Sequence, residues 1–143
     1  MSLVQCIYAS AATLDFGQSQ LAELLATSRD NNQRLEVTGM LLYYKGSFFQ
    51  VLEGEEAVIE TLYSKIAEDP RHGKLIKLIQ APINERIFAQ WSMGYPAVTV
   101  KELATLPGLN DFFTSGKAFY EISAGRAKNL LAAFKQGKWR ARL

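Results

Sequence analysis

The period of the apolar residues changes back and forth along the first half of this chain, and that alternation limits the fold more than any other feature. Residues 2–10 repeat every two positions, with Val4, Cys6 and Tyr8 on one face, as a strand does. Residues 17–32 switch to helical spacing, where Leu21, Leu24, Leu25 and Ser28 draw a stripe that Asn31 and Asn32 continue. Two strand-like runs follow at 35–44 and 47–53, separated by Lys45-Gly46, a hairpin signal. Residues 55–68 return to helical spacing through Val58, Leu62 and Ile66, with Glu55 and Glu56 at the dipole's positive end and Pro70 as the stop. Residues 74–81 read as a buried strand, and Trp91 to Tyr95 as one more short strand that Pro96 ends.

That order, β-α-β-β-α-β plus an extra strand, is two β-α-β units joined by a hairpin. It predicts an α+β, ferredoxin-like sheet with both helices on one face. Residues 1–96 are expected to form one domain, and residues 97–143 a helical extension that packs on the sheet or mediates assembly. In the extension Ser123 is a good N-cap, Ala127, Leu130, Leu131 and Phe134 have helical spacing, and Gly137 suits the helix end. At 143 residues the chain buries roughly 68% of its unfolded surface, enough for a core without staples.

Composition removes several function classes. The net charge of +2 argues against a strongly basic nucleic-acid binder, so no specific nucleic-acid partner is expected. One cysteine excludes an intramolecular disulfide, and one histidine leaves little for a zinc site, so no metal is expected. No run approaches a membrane span of about 20 apolar residues, and no secretory signal is visible, so the expected location is cytoplasmic.

Polar atoms sit where the pattern calls for hydrocarbon. In Ser47-Phe48-Phe49-Gln50-Val51-Leu52, Gln50 shares its face with Phe48 and Leu52. Tyr8 shares a face with Val4 and Cys6, and Trp91 with Met93. Singly, each reads as a satisfied core polar group or, for Asn31-Asn32, as a helix cap. Together, a helix stripe of Ser28, Asn31 and Asn32 opposite Tyr8 and Gln50 describes a slot for a flat heteroaromatic ring. Asn and Gln both donate and accept, as the edge of an isoalloxazine requires. No G-x-G-x-x-G is present, so a phosphate would be held by side chains such as Lys65 and Arg71.

Several short segments in order, Ile7-Tyr8-Ala9-Ser10, Ser28-Arg29-Asp30-Asn31-Asn32, Val37-Thr38-Gly39-Met40, Phe48-Phe49-Gln50-Val51-Leu52-Glu53-Gly54, Asp69-Pro70-Arg71-His72, Arg86-Ile87-Phe88 and Trp91-Ser92-Met93-Gly94, make the chain resemble the BLUF domains. These are blue-light sensors that use FAD, and their fold is ferredoxin-like. The resemblance implies that Tyr8 is the photochemical donor and that Gln50 lies between its hydroxyl and the flavin. Asn31 and Asn32 would hold the pyrimidine side, and Phe48, Leu52 and Ile66 would face the ring. Lys65, Asp69, Arg71 and His72 would approach the ring edge and the phosphate tail, and Trp91 and Met93 would carry the signal.

It implies a sensor without catalysis of its own, acting on an unidentified downstream signalling protein and assembling as a homo-oligomer. Arg126, Lys128, Lys135, Lys138, Arg140 and Arg142 against Glu121 make the last segment basic, which suits an acidic partner. A light-independent ferredoxin-like ligand-binding module and a small flavoenzyme are the competing readings.

Overall fold

The computed structural model describes residues 2–12, 18–44, 47–70, 72–89, 125 and 127. The elements are β1 (Leu3–Ala12), α1 (Gln18–Leu35), β2 (Thr38–Tyr44), β3 (Ser47–Glu55), α2 (Glu56–Glu68) and β4 (His72–Pro82). This is the expected α+β order. The extra strand expected near Trp91 and nearly all of the extension lie outside the described residues; Gly125 and Ala127 are helical, and Ala127 is buried.

The four strands make one sheet in the order β2-β3-β1-β4, and every neighbouring pair is antiparallel. Each helix therefore links two strands that flank a third, the split β-α-β arrangement. On one face Val4, Cys6, Tyr8, Leu41, Phe48 and Leu52 meet Leu21 and Leu25 of α1 and Ile59 of α2. The alternate positions, including Ile7, Ala9, Met40, Leu42, Phe49 and Val51, are buried as well. β3 is consequently buried on both faces, which explains a run with so little polar alternation.

The first helix runs three residues past the expected end, and β2 starts at Thr38 instead of 35. The chain leaves α1 through Glu36, whose φ is +56°. Glu36 N–H donates to Gln33 O at 3.3 Å and Val37 N–H to Asn32 O at 2.8 Å, the two bonds of a Schellman ending. Asn31 and Asn32 are thus interior helical residues, not the cap. A glycine normally marks this position, and glutamate hides it.

On the face away from the helices, Glu53 is fully buried and ties four segments together. Its carboxylate accepts from Ile87 N–H at 2.8 Å, Phe88 N–H at 2.9 Å, Thr38 Oγ1 at 3.2 Å and Gln5 Nε2 at 3.3 Å. Arg86 donates to Thr38 Oγ1 at 2.8 Å, Glu53 O at 2.9 Å and Glu36 O at 2.7 Å. Arg86-Ile87-Phe88 is therefore a strap that fixes the segment after β4 to the β2–β3 edge and to the turn that ends α1.

Two stability outcomes follow from these geometries. Glu53→Gln turns an amide N–H₂ toward a backbone donor and should cost about 2–3 kcal/mol in urea unfolding. Glu36→Gly relieves the positive φ and should gain about 0.5–1 kcal/mol. An unchanged midpoint in the first variant would show that the strap contributes little.

Candidate functional site

Between α1, α2 and the sheet lies a cleft of about 180 Å³. Its floor comes from the register of the strands. Gln50 on β3 stands directly opposite Tyr8 on β1 and, on its other side, opposite Leu41 on β2. Directly opposed residues of an antiparallel pair project from the same face with Cβ atoms about 5 Å apart. The next rungs place Phe48 between Ser10 and Tyr43, and Leu52 between Cys6 and Gly39. The Phe48 and Tyr43 rings pack with centroids 4.9 Å apart.

The walls come from the helices. From α1, Leu24, Thr27, Ser28, Asn31 and Asn32 line the cleft; from α2 and its C-cap, Leu62, Lys65, Ile66 and Asp69 do. Asn31 and Asn32 reach it because the helix continues past them. Asn32 is 2% exposed and Gln50 8%, so both amides are nearly withdrawn from water. The Asn31 side-chain oxygen Oδ1 accepts from the Arg34 guanidinium one turn on.

Electrostatics here are governed by burial. The Tyr8 phenol, 1% exposed, is pushed well above the ordinary tyrosine value, first by desolvation and then by Cys6, Tyr63 and Asp69. Burial also pushes the Cys6 thiol up to about 11, with Lys77 opposing. Tyr8 is thus a neutral hydrogen donor at any physiological pH.

Tyr8, Ser28, Asn31, Asn32, Phe48, Gln50, Leu52, Lys65, Ile66 and Asp69, all singled out in the sequence, line this one cleft. Arg71, Trp91 and Met93 lie outside the described residues. His72 opens β4, and its side chain lies outside them too. Leu24, Thr27, Leu41 and Leu62 were missed as lining. Leu24 and Leu62 do belong to the predicted apolar stripes, but periodicity reports that a residue points inward, not whether it meets core or cavity.

The donor set fits a flavin. Neutral amides and hydroxyls match a ring edge that mixes donors and acceptors, and Leu41, Phe48, Leu52 and Ile66 suit its apolar faces. Among the described residues no cluster of His, Cys, Asp and Glu is fit to hold a metal.

Comparison with known proteins points the same way. Residues 3–94 match the family described as BLUF, sensors of blue-light using FAD. The chain is 38% identical over 123 residues to the photoactivated adenylate cyclase subunit beta of Euglena longa, covering 85% of this chain and 14% of that protein. Against subunit alpha of Euglena gracilis it is 32% identical over 121 residues, 84% of this chain and 12% of that protein. The chain thus spans a small part of those relatives. The dark-state structure of BlrB, a BLUF protein, superposes with a TM-score of 0.76 at 31% identity, covering 95% of this chain and 97% of that one. BlrP1 of Klebsiella pneumoniae, with FMN and cyclic diGMP, gives 0.66 at 30%, covering 94% of this chain and 34% of that one.

The buried thiol gives a stability test. Folded Cys6 keeps its proton to about pH 11, whereas the unfolded thiol loses it near 9.0. The contribution is therefore complete below about pH 9 and is lost as pH rises through about 11. Unfolding free energy should fall by roughly 2–3 kcal/mol across that window, and Cys6→Ala should flatten this part of the curve. The raised Tyr8 phenol adds its own loss above the ordinary tyrosine value in both proteins.

Proposed function

The chain belongs to the BLUF family, the sensors of blue light that use FAD, and from that premise we propose that Tyr8 and Gln50 form its photochemical pair and FAD its pigment. The observation that carries this reading is the register: the phenol and the carboxamide are cross-strand partners on the floor of the cleft. When bound and excited, the flavin supplies a strong one-electron oxidant.

Tyr8 would give up one electron and its phenolic proton to that oxidant, and the Gln50 amide would relay the proton. The amide presents a donor at one end and an acceptor at the other, so rotation or tautomerisation reverses its pattern. After charge recombination Tyr8 regains both electron and proton, and only the hydrogen bonds around Gln50 differ. A Gln50 amide that donates more strongly toward a bound pigment would move its absorption to the red.

Asn31 and Asn32 orient the pyrimidine side. Phe48, Leu52 and Ile66 exclude water from the ring. Lys65 and Asp69, with Arg71 and His72, serve the ring edge and the tail. Trp91 and Met93 pass the change to residues 97–143.

The sensor domain itself is not catalytic. The output we infer is a shift in binding to a partner protein, and the excess of basic over acidic residues after residue 118 supports an acidic one. No helix among the described residues is long and apolar enough to cross a membrane; a cytoplasmic location for the chain is part of the same proposal. A homo-oligomeric assembly belongs to the same proposal.

Absorption spectra before and after blue light test the photochemistry. The expected result is a yellow protein with a reversible red shift, and the extracted pigment should be FAD. Tyr8→Phe and Gln50→Ala should both keep the pigment and lose the shift. Asn32→Ala should hold the pigment on the order of tenfold more weakly. A Tyr8→Phe variant that photocycles normally would remove Tyr8 from its assigned role.

A further inference from the structure

The ring of Tyr8 does not end the aromatic cluster. Tyr63, on α2, packs against it edge-on with centroids 5.7 Å apart and planes at 74°. Tyr63 is partly buried and belongs to the shell around the core. Over its other environment stands Lys77, whose Nζ is 4.4 Å from the ring centroid. Lys77 is held in place by donating to Gln80 Oε1 at 2.8 Å.

A backbone irregularity brings Lys77 there. On β4 the pairing with β1 passes from Ile7↔Ile79 to Tyr8↔Lys77, so Leu78 is the extra residue of a bulge. With an unbroken ladder Leu78 would stand opposite Tyr8, and Lys77 would project from the other face. The bulge thus sets a cation on the face that carries the tyrosines.

Two phenols in ring contact are chemically alike, so the local field decides which of them bears an electron vacancy. A positive charge above a ring is attracted to its π electrons and opposes their removal. We propose that Tyr63 is a second redox-accessible phenol in contact with Tyr8, and that Lys77 confines the light-generated vacancy to Tyr8. This rests on the light-sensor reading and adds to it a residue that protects the photocycle. The step held back is a hydrogen-atom transfer. The O–H bond of Tyr63 breaks, one electron and one proton pass to the Tyr8 radical, and the Tyr8 O–H bond reforms. Tyr63 is then oxidised and Tyr8 reduced, and Tyr8 can no longer take back its own charge from the pigment. Lys77 is a positioning residue here, since it acts through the Tyr63 ring.

The experiment is electron paramagnetic resonance of flavin-loaded protein frozen under blue light, together with the yield of the red shift in the same samples. Lys77→Met should raise the persistent tyrosyl signal on the order of five- to tenfold and lower the red-shift yield. Lys77→Arg, which keeps the cation, should behave as the wild type. Lys77→Met combined with Tyr63→Phe should return both readings to wild-type values, because the second phenol is gone. A Lys77→Met protein identical to the wild type overturns the proposal, as does an effect that survives Tyr63→Phe. Failure of the light-sensor reading is separately visible, as a flavin-loaded wild type with no red shift, and it removes this proposal with it.

Discussion

The pairing of β1 with β3 is the constraint on which the remainder of the molecule depends. Tyr8 meets Gln50 because Leu3↔Glu55 through Ala11↔Ser47 form an unbroken antiparallel ladder. A slip of one residue would turn Gln50 to the opposite face and bring Phe49 or Val51 into the cleft. What prevents the slip lies partly on that opposite face. There Glu53 is the cross-strand partner of both Gln5 and Thr38, and it bonds both side chains. A shifted register would bury this carboxylate without its hydrogen-bond donors, at a cost of several kcal/mol. The polar row on one face of the sheet thus holds the row of Tyr8 and Gln50 on the other.

Close packing enforces the same alignment. Gly39 lies opposite Leu52, and a Cβ at Gly39 would stand 1.9 Å from the Val51 carbonyl oxygen. The backbones of β2 and β3 approach so closely there that a side chain would push the strands apart. Arg86 seals the other end of the contact by bridging the turn at Glu36 to the backbone of Glu53. The end of α1, the start of β2 and the strap after β4 are therefore one assembly, which keeps Asn31 and Asn32 on the wall of the cleft.

The elements with a clear apolar period were legible in the sequence: both helices, four strands and their order follow from the switch between spacings of two and of 3.6. The alignment of polar side chains with an apolar stripe likewise located the cleft, since Ser28, Asn31 and Asn32 lie on the same helix face as Leu21, Leu24 and Leu25. The features that escaped have no local signature. Glu36 takes a positive φ without being glycine or asparagine, so the helix end read three residues early. Leu78 looks like any strand residue, and its bulge is visible only in the register of β4 against β1. Glu53 ends a predicted strand, and nothing local in the sequence marks it as a buried hub. Its partners are 15 to 48 residues away in sequence, and only the folded sheet assembles them.

A sensor of this kind needs a discrete response, and the burial of Tyr8 and Gln50 supplies the physical reason for one. In water an amide exchanges partners continuously at little cost. In a cleft where Gln50 is 8% exposed and Tyr8 1%, any arrangement that leaves a donor or acceptor unpaired costs about 1–3 kcal/mol. The arrangements that satisfy every polar atom are few, and intermediate ones are excluded by the same penalty. Under the proposed photochemistry, the hydrogen-bond pattern around Gln50 would change as a whole, between states separated by a barrier. That would link an isolated electron transfer from Tyr8 to a conformational population that outlives it.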